Sequence, residues 1–272
     1  MNKVRSNFHT HTTYCDGNNT VREMIEAALD AGFHSLGFTG HGHVSIDPTF
    51  GMTPYNTPDY EREVRALAKE YRDKIHIFLG MENDSADIQP LAGYDYSIGS
   101  VHYVPAGGGF HSPDDTVEKF VSAMEEYFAG DPYLFAQAYY DEVVRTVTQT
   151  RPDIIGHFDS FIKFNRANRF FDEGSKRYRT MAMDALEAVA QTGGIIEINT
   201  GAMARGYRDA PYPARFLLER MYELRTPVII SSDAHSTKDI ACAFDDAAAL
   251  LYETGFRERM ELTHNGFVAV EL

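Results

Sequence analysis

Short apolar, β-rich runs alternate with amphipathic helical patterns from one end of the chain to the other. Residues 4–11 predict a strand, and after a Gly-Asn turn the apolar positions Val21, Met24, Ile25, Ala28 and Leu29 recur at helical spacing. Thr20 is placed to cap that helix and Gly32 to end it. Residues 35–41 predict a second strand, 52–58 a loop, and 58–73 a charged helix that turns Val64, Leu67 and Ala68 inward. Strands follow at 75–82 and 94–102. Past a glycine-rich stretch at 105–109, residues 113–128 and 132–150 predict helices, with Ser112 and Asp131 as caps, each just before a proline. Strands at 154–157, 194–199 and 227–232 then alternate with helices over 174–191, 213–224 and within 238–253, and 267–270 is a final strand.

Strand–helix alternation of this length implies parallel strands covered by helices. Seven core-like strands and an uncertain eighth predict an irregular (β/α) TIM-like barrel, one domain over residues 1–272. The alternative is an open doubly wound sheet, but no Gly-x-Gly-x-x-Gly element follows the first strand.

At 272 residues and 43% hydrophobic, the chain can bury one large core, to which its 16 tyrosines and 18 phenylalanines contribute. A formal net charge of −15 disfavours nucleic-acid partners, yet a local group of cations can still receive a small phosphate ester. There is no apolar run of membrane-spanning length and no charged-then-apolar leader. Two cysteines, Cys15 and Cys242, cannot staple a domain this size. The expectation is a cytoplasmic protein with no membrane partner.

The chemistry lies at the C-terminal ends of the predicted strands. His9 and His11 sit two apart on strand one, and Asp233 and His235 two apart at the last barrel strand, so each pair shares a face. His41, Glu82, His102 and His157 end four strands between them, and Asp16 follows in the first loop. Imidazole and carboxylate suit borderline divalent metals, and barrels place chemistry at this rim. A metal with an open position lowers the pKa of bound water to roughly 7, and two metals about 3.5–4 Å apart can share a hydroxide and clamp phosphate oxygens. Nine donors are too many for one ion and fit two or three, with Glu82 the best bridging candidate. Zn, Fe and Mn all accept such ligands.

These motifs, His9-x-His11, Thr39-Gly-His41, Gly80-x-Glu82, Ser100-x-His102, Gly156-His157 and Ser232-Asp233-Ala-His235, together resemble the polymerase-and-histidinol-phosphatase (PHP) superfamily along the whole chain. The resemblance implies a distorted (β/α)7 barrel with a trinuclear metal centre. It implies one metal on His9, His11, Glu82 and Asp233, a second on Glu82, His102 and His157, and a third on Asp16, His41 and His235. The family's second motif often reads Thr-Asp-His, and here Gly40 replaces the acid. The run Glu197-Ile-Asn199, Arg205 and Pro211-Tyr-Pro213 is similar to the corresponding segment of the histidinol phosphatases. The implied reaction is hydrolysis of L-histidinol phosphate by a metal-bridging hydroxide, with Glu82, Asp233 and His235 as catalytic residues. A phosphoesterase of the same superfamily acting on nucleotides is the alternative, and a non-catalytic metal protein a third reading.

Arg205, Lys163 and Arg166 fall in loops at the barrel mouth, where a phosphate would rest. Arg205 could instead pair with Asp209. Phe161, Tyr207, Tyr212, Asp159 and Asp47 are available to recognise the imidazole and ammonium. Glu197 is expected to hydrogen-bond inside the barrel, His76 to pack near its floor, and His43 to sit beside the site or in solvent.

Overall fold

The computed structural model describes residues 3–272. Strands β1 (Ser6–Asn7), β2 (Ser35–Phe38), β3 (His76–Asp84) and β4 (Tyr96–Ser100) are followed by a rim hairpin, β5 (Val104–Ala106) and β6 (Gly109–His111). Then come β7 (Ile154–Ile155), β8 (Ile195–Asn199) and β9 (Val228–Ser231). Outside the hairpin these strands pair in the order β1-β2-β3-β4-β7-β8-β9, every pair parallel. The ring closes just beyond the formal strands. Thr10 and Ala234 form a parallel bridge, His11 N donating to the Ala234 carbonyl at 2.9 Å and Ala234 N to that of His9 at 3.2 Å. This is the irregular barrel the alternation predicts, with the seven strands that the resemblance implies.

The covering helices are α1 (Val21–Asp30), α2 (Thr57–Glu70), α3 (Val117–Tyr127), α4 (Pro132–Thr150), α5 (Lys176–Ala190), the single turn α6 (Gly201–Ala204), α7 (Arg215–Leu224) and α8 (Phe244–Thr254). Among the described residues no helix is long and apolar enough to cross a membrane. Thr20 and Glu23 cap α1 reciprocally, and Asp131 accepts from Tyr133 N ahead of Pro132 in α4. One predicted cap moves: α3 starts at Val117 under Thr116, because the Ser112 hydroxyl is taken by the Asp114 and Asp115 amides in a turn.

Inside the barrel the strand period of two stacks apolar residues beneath polar ones. Phe78 lies below Glu82, Tyr96 and Ile98 below Ser100, Ile195 below Glu197 and Asn199, and Ile229 below Ser231 and Asp233. The lower layer is one buried cluster with Phe8 and Ile154. Gly80 makes room for it: a Cβ there would come within 2.6 Å of the Tyr96 ring, whose hydroxyl donates to the Phe8 carbonyl at 2.8 Å.

The predicted final strand exists but is not an eighth barrel stave. It is β11 (Gly266–Glu271), antiparallel to β10 (Glu258–Thr263), which the pattern missed. This hairpin caps the barrel floor, where Leu262 joins the interior apolar cluster and Phe267 meets Tyr96 edge-on at 6.4 Å. Met260 packs on the same cluster, and the opposite face of β10 buries two charges, Arg259 and Glu261. Glu261 accepts from Ser6 Oγ at 3.1 Å and from Arg259 at 3.0 Å, and is hydrogen-bonded to His34.

Replacing Glu261 by alanine leaves Arg259, which is 5% exposed, without its anion. The expected loss is about 3 kcal/mol of unfolding free energy, read by urea denaturation at pH 7. Burial pushes the Glu261 carboxyl up, but the His34 and Arg259 contacts outweigh it and hold the folded value below the usual 4.5. The wild-type advantage over Glu261→Ala is therefore complete above pH 4.5 and shrinks as pH falls below it.

Candidate metal centre

Strand ends deliver the donors. His9 and His11 leave β1, His41 follows β2, Glu82 lies in the last turn of β3, His102 follows β4, His157 follows β7, and Asp233 and His235 follow β9. The nine predicted donors come together. Glu82, fully buried, is the hub: its Oε2 lies 3.0 Å from His9 Nε2, 3.4 Å from His11 Nε2 and 2.9 Å from His41 Nδ1. Its Oε1 lies 3.1 Å from His157 Nε2 and 3.7 Å from His102 Nε2, and accepts from Ser100 Oγ at 2.5 Å. That last bond depends on Gly156, because a Cβ there would stand 2.4 Å from Ser100 Oγ.

Two more clusters flank the hub. Asp233 Oδ1 is 3.1 Å from His11 Nε2 and 3.6 Å from His9 Nε2. Asp16 Oδ2 is 3.0 Å from His235 Nε2, and its Oδ1 is 3.7 Å from both His11 and His41. Donor atoms therefore converge in three overlapping groups: His9, His11 and Asp233; His41, Glu82 and His102; and His11, Asp16, His41 and His235. The grouping differs from the expected one in that His11 and His41 each bridge toward a neighbouring group, while His157 reaches the hub from the far oxygen of Glu82.

The donor set fits cations. Three imidazole nitrogens crowd one oxygen of Glu82, more than hydrogen bonding alone can satisfy. The His11 ring stacks between those of His41 and His235, at 4.2 Å from each, and its buried Nε2, 3.1 Å from Asp233 Oδ1, makes no well-aligned hydrogen bond. Burial, then the neighbouring imidazoles, push His11 down to about 3, so it stays neutral with a free lone pair. His9 goes the other way: burial opposes its charge, but Glu197, Glu82 and Asp233 together raise it well above the usual value. Glu82 and Asp233 are held well below the carboxylate range by the surrounding imidazoles and Arg205 despite their burial. The pocket is a concentrated negative field that calls for positive charge, and divalent ions answer it with better geometry than protons.

An outer layer fixes the rings. Glu197 Oε1 lies 2.6 Å from His9 Nδ1, Asp84 Oδ2 lies 2.9 Å from His102 Nδ1, and the Asp233 carbonyl lies 2.9 Å from His235 Nδ1. Each acceptor favours the tautomer that turns an Nε2 lone pair into the site. Glu197 also receives His157 N and Asn199 Nδ2, both at 2.8 Å, the inner-barrel role expected of it. Asp84 and Ser100 escaped sequence reasoning, although Asp84 sits two residues beyond Glu82 and shares its face. At Gly40, where the resembled motif carries an acid, Met52 and the Cys15 thiol fill the space, so no carboxylate supports His41 there.

Above the donors opens a cavity of about 460 Å3. Arg205 and Lys163 line it; Arg166 does not. Arg205 donates to Asp233 Oδ2 at 3.0 Å and to the Asp233 carbonyl at 3.1 Å, and so takes Asp233 rather than Asp209 as its partner. Lys163 Nζ donates to the Asp114 carbonyl at 2.5 Å and lies 4.9 Å from the Tyr207 ring centre. Arg166 is corrected: it turns into solvent, where Asp209 holds it at 2.7 Å. Of the residues considered for the organic part of a substrate, Asp47 and Tyr212 line the cavity, while Phe161 and Asp159 are buried beneath it. His76 sits at the start of β3, 3.1 Å from His264, far from the rim. His43 does not line the cavity.

The family model of the PHP domain matches residues 7–201. A protein of Deinococcus radiodurans named probable histidinol-phosphatase is 31% identical over 260 residues, covering 92% of this chain and 93% of its own. The histidinol-phosphatase of Bacillus subtilis is 27% identical over 87% of this chain and 96% of its own. The crystal structure of histidinol phosphate phosphatase from Lactococcus lactis, complexed with zinc, L-histidinol and phosphate, shares the fold with a TM-score of 0.69. It is 21% identical, over 97% of this chain and 98% of that one.

The outer layer generates a test. Glu197→Gln removes the charge behind His9 and is expected to weaken metal binding by roughly 10–100-fold in competition with a chelator, with the folded state retained.

Proposed function

The chain belongs to the PHP domain family, and on that premise we propose that it is a metal-dependent phosphomonoesterase hydrolysing L-histidinol phosphate to L-histidinol and phosphate, a reaction of histidine biosynthesis. The observation that carries the reading is one cavity of small-molecule size lined by six of the nine metal-type donors, with His9, His11 and Glu82 buried against them, and by two cations, Lys163 and Arg205. Similarity to histidinol-phosphatases over nearly the full length of both chains supports the choice of substrate.

Two or three ions of the Zn, Fe or Mn class would be held by His9, His11, Asp16, His41, Glu82, His102, His157, Asp233 and His235. When bound, they supply Lewis acidity toward phosphoryl oxygens and acidify water near neutral pH. The chain does the rest. Glu82 offers one oxygen to each side of the floor and thereby sets the spacing of the donor groups. Asp233 shares the His9–His11 pair, and its second oxygen is occupied by Arg205, which orients it. His235 reaches Asp16 with Nε2 while its Nδ1 rests on the Asp233 carbonyl, so the rim of the cage is tied across β9 and the first loop. The Arg205 guanidinium, with an edge toward the cavity, and the Lys163 ammonium receive the phosphoryl oxygens as charge grows on them. Burial of His9, His11 and Glu82 keeps bulk water away from the reacting centre and strengthens every charge interaction there.

The metal-loaded enzyme is expected to release inorganic phosphate from L-histidinol phosphate, to lose at least 1,000-fold in rate after exhaustive chelation, and to recover on adding back Mn, Fe or Zn. Rapid turnover of nucleotides with none of L-histidinol phosphate, in the same phosphate-release assay, would overturn the assignment.

A further inference from the structure

The barrel floor carries a second cavity, at the opposite end from the metal donors. It encloses about 420 Å3 between the C-terminal ends of α7 and α8, the start of β9 and the hairpin β10–β11. Part of its wall is aromatic. Tyr222 is 49% exposed, yet it meets Phe256 edge-on at 5.5 Å and lies so close to Gly255 that a Cβ there would stand 2.8 Å from its ring. A ring clamped in this way offers the cavity a fixed flat face.

Three arginines, Arg225, Arg257 and Arg259, line the same space in a chain whose net charge is −15. Arg225 is exposed just past α7 and has no ion pair or side-chain hydrogen bond among the described residues. Arg257 donates Nη1 to the carbonyls of Tyr252 and Phe256, at 3.0 and 2.7 Å, and lies over the Tyr252 ring at 4.0 Å. One nitrogen thus answers the open end of α8, and the rest of that guanidinium stays exposed. Glu258 is the one acid among the described lining residues.

Two buried polar atoms point to an occupant. Arg259 and Thr226 are each 5% exposed, and neither Arg259 Nε nor Thr226 Oγ1 has a hydrogen-bond partner. Buried polar groups are rarely left unpaired, because an unmade hydrogen bond costs the full desolvation of its donor or acceptor. Glu261 takes Nη1 of Arg259 at 3.0 Å and leaves Nε unused. A guanidinium held on one side and open on the other is prepared for a two-oxygen anion. The hydroxyl of Thr226 can donate to the same group.

We propose that this floor cavity is a binding site for a small oxyanion, a carboxylate or phosphate borne on a flat apolar group. Its oxygens meet Arg225, Arg259 and Thr226, and its flat body lies on Tyr222. The interior apolar layer, with Ile229 and Leu262, separates this site from the metal centre. The site therefore stands whichever ester the metal centre hydrolyses.

The experiment uses metal-loaded protein and three probes: p-bromobenzoate, p-bromophenylphosphonate and p-bromobenzyl alcohol, which keeps the ring and lacks the charge. Crystals are soaked with each, and the bromine is located by anomalous diffraction. A bromine peak beside Tyr222 is expected from at least one of the two anions, with its oxygens about 3 Å from Arg259 Nε or Thr226 Oγ1. The anion that gives the peak identifies the headgroup class. Titration calorimetry with p-bromobenzoate is run on wild type, Arg225→Gln and Thr226→Val, with metal content and thermal unfolding verifying that cage and fold persist. If the carboxylate is the preferred headgroup, affinity is expected to fall about ten-fold in Arg225→Gln and about five-fold in Thr226→Val, and the alcohol to bind at least about ten-fold more weakly than the anion. If only the phosphonate gives the floor peak, the same ratios are expected of it. Bromine density at the metal centre alone or nowhere, equal affinity for the alcohol, or unchanged affinity in both variants would overturn the proposal.

Discussion

A fully buried carboxylate ringed by five imidazoles is the constraint around which this protein is organised. Glu82 sits at hydrogen-bonding or near-contact distance from His9, His11, His41, His102 and His157. Isolated in a barrel interior, such a charge would cost several kcal/mol. Surrounded by lone pairs that converge on the same small volume, together with Asp16 and Asp233, it becomes a receptacle for multivalent cations. Burial and the imidazoles of His235 and His41 keep His11 neutral, and so able to ligate, against the opposing pull of Asp233 and Asp16.

The barrel serves that centre by separating polar from apolar layers along single strands. Each of β3, β8 and β9 carries a hydrophobic residue low and a donor or its supporter high, at even spacing, so register alone fixes both the core and the site. The closure between Thr10 and Ala234 holds His9 and His11 on one flank against Asp233 and His235 on the other. Without it, donors from opposite ends of the chain would have no fixed separation. The hairpin β10–β11 closes the opposite end, so the polar layer meets solvent only through the mouth.

Much of this was legible in the sequence because it rests on short-range rules. Parity puts His9 with His11 and Asp233 with His235, and the caps at Thr20 and Asp131 follow from local chemistry. What escaped depends on contacts remote in sequence. β10 reads as Glu-Arg-Met-Glu-Leu-Thr, with only Met260 and Leu262 apolar and Arg259 and Glu261 buried on the other face, so two apolar positions are too few to mark a strand. The buried charges are tolerated because Ser6 and His34, more than 200 residues away, complete their hydrogen bonds. Ser112 resembles a helix cap until its hydroxyl is seen in a turn with Asp114 and Asp115. Arg166 and Arg205 look alike as basic loop residues, yet only Arg205 has a buried carboxylate, Asp233, to draw it inward.

The most direct test is anomalous diffraction from crystals of the metal-loaded protein, with data collected on either side of the Mn, Fe and Zn absorption edges. The account predicts two or three peaks inside the cage, at least one bonded to Glu82 and others shared among His9, His11, Asp16, His41, His102, His157, Asp233 and His235. A fully occupied crystal with no anomalous density among these residues, or with a single ion outside their reach, would contradict it.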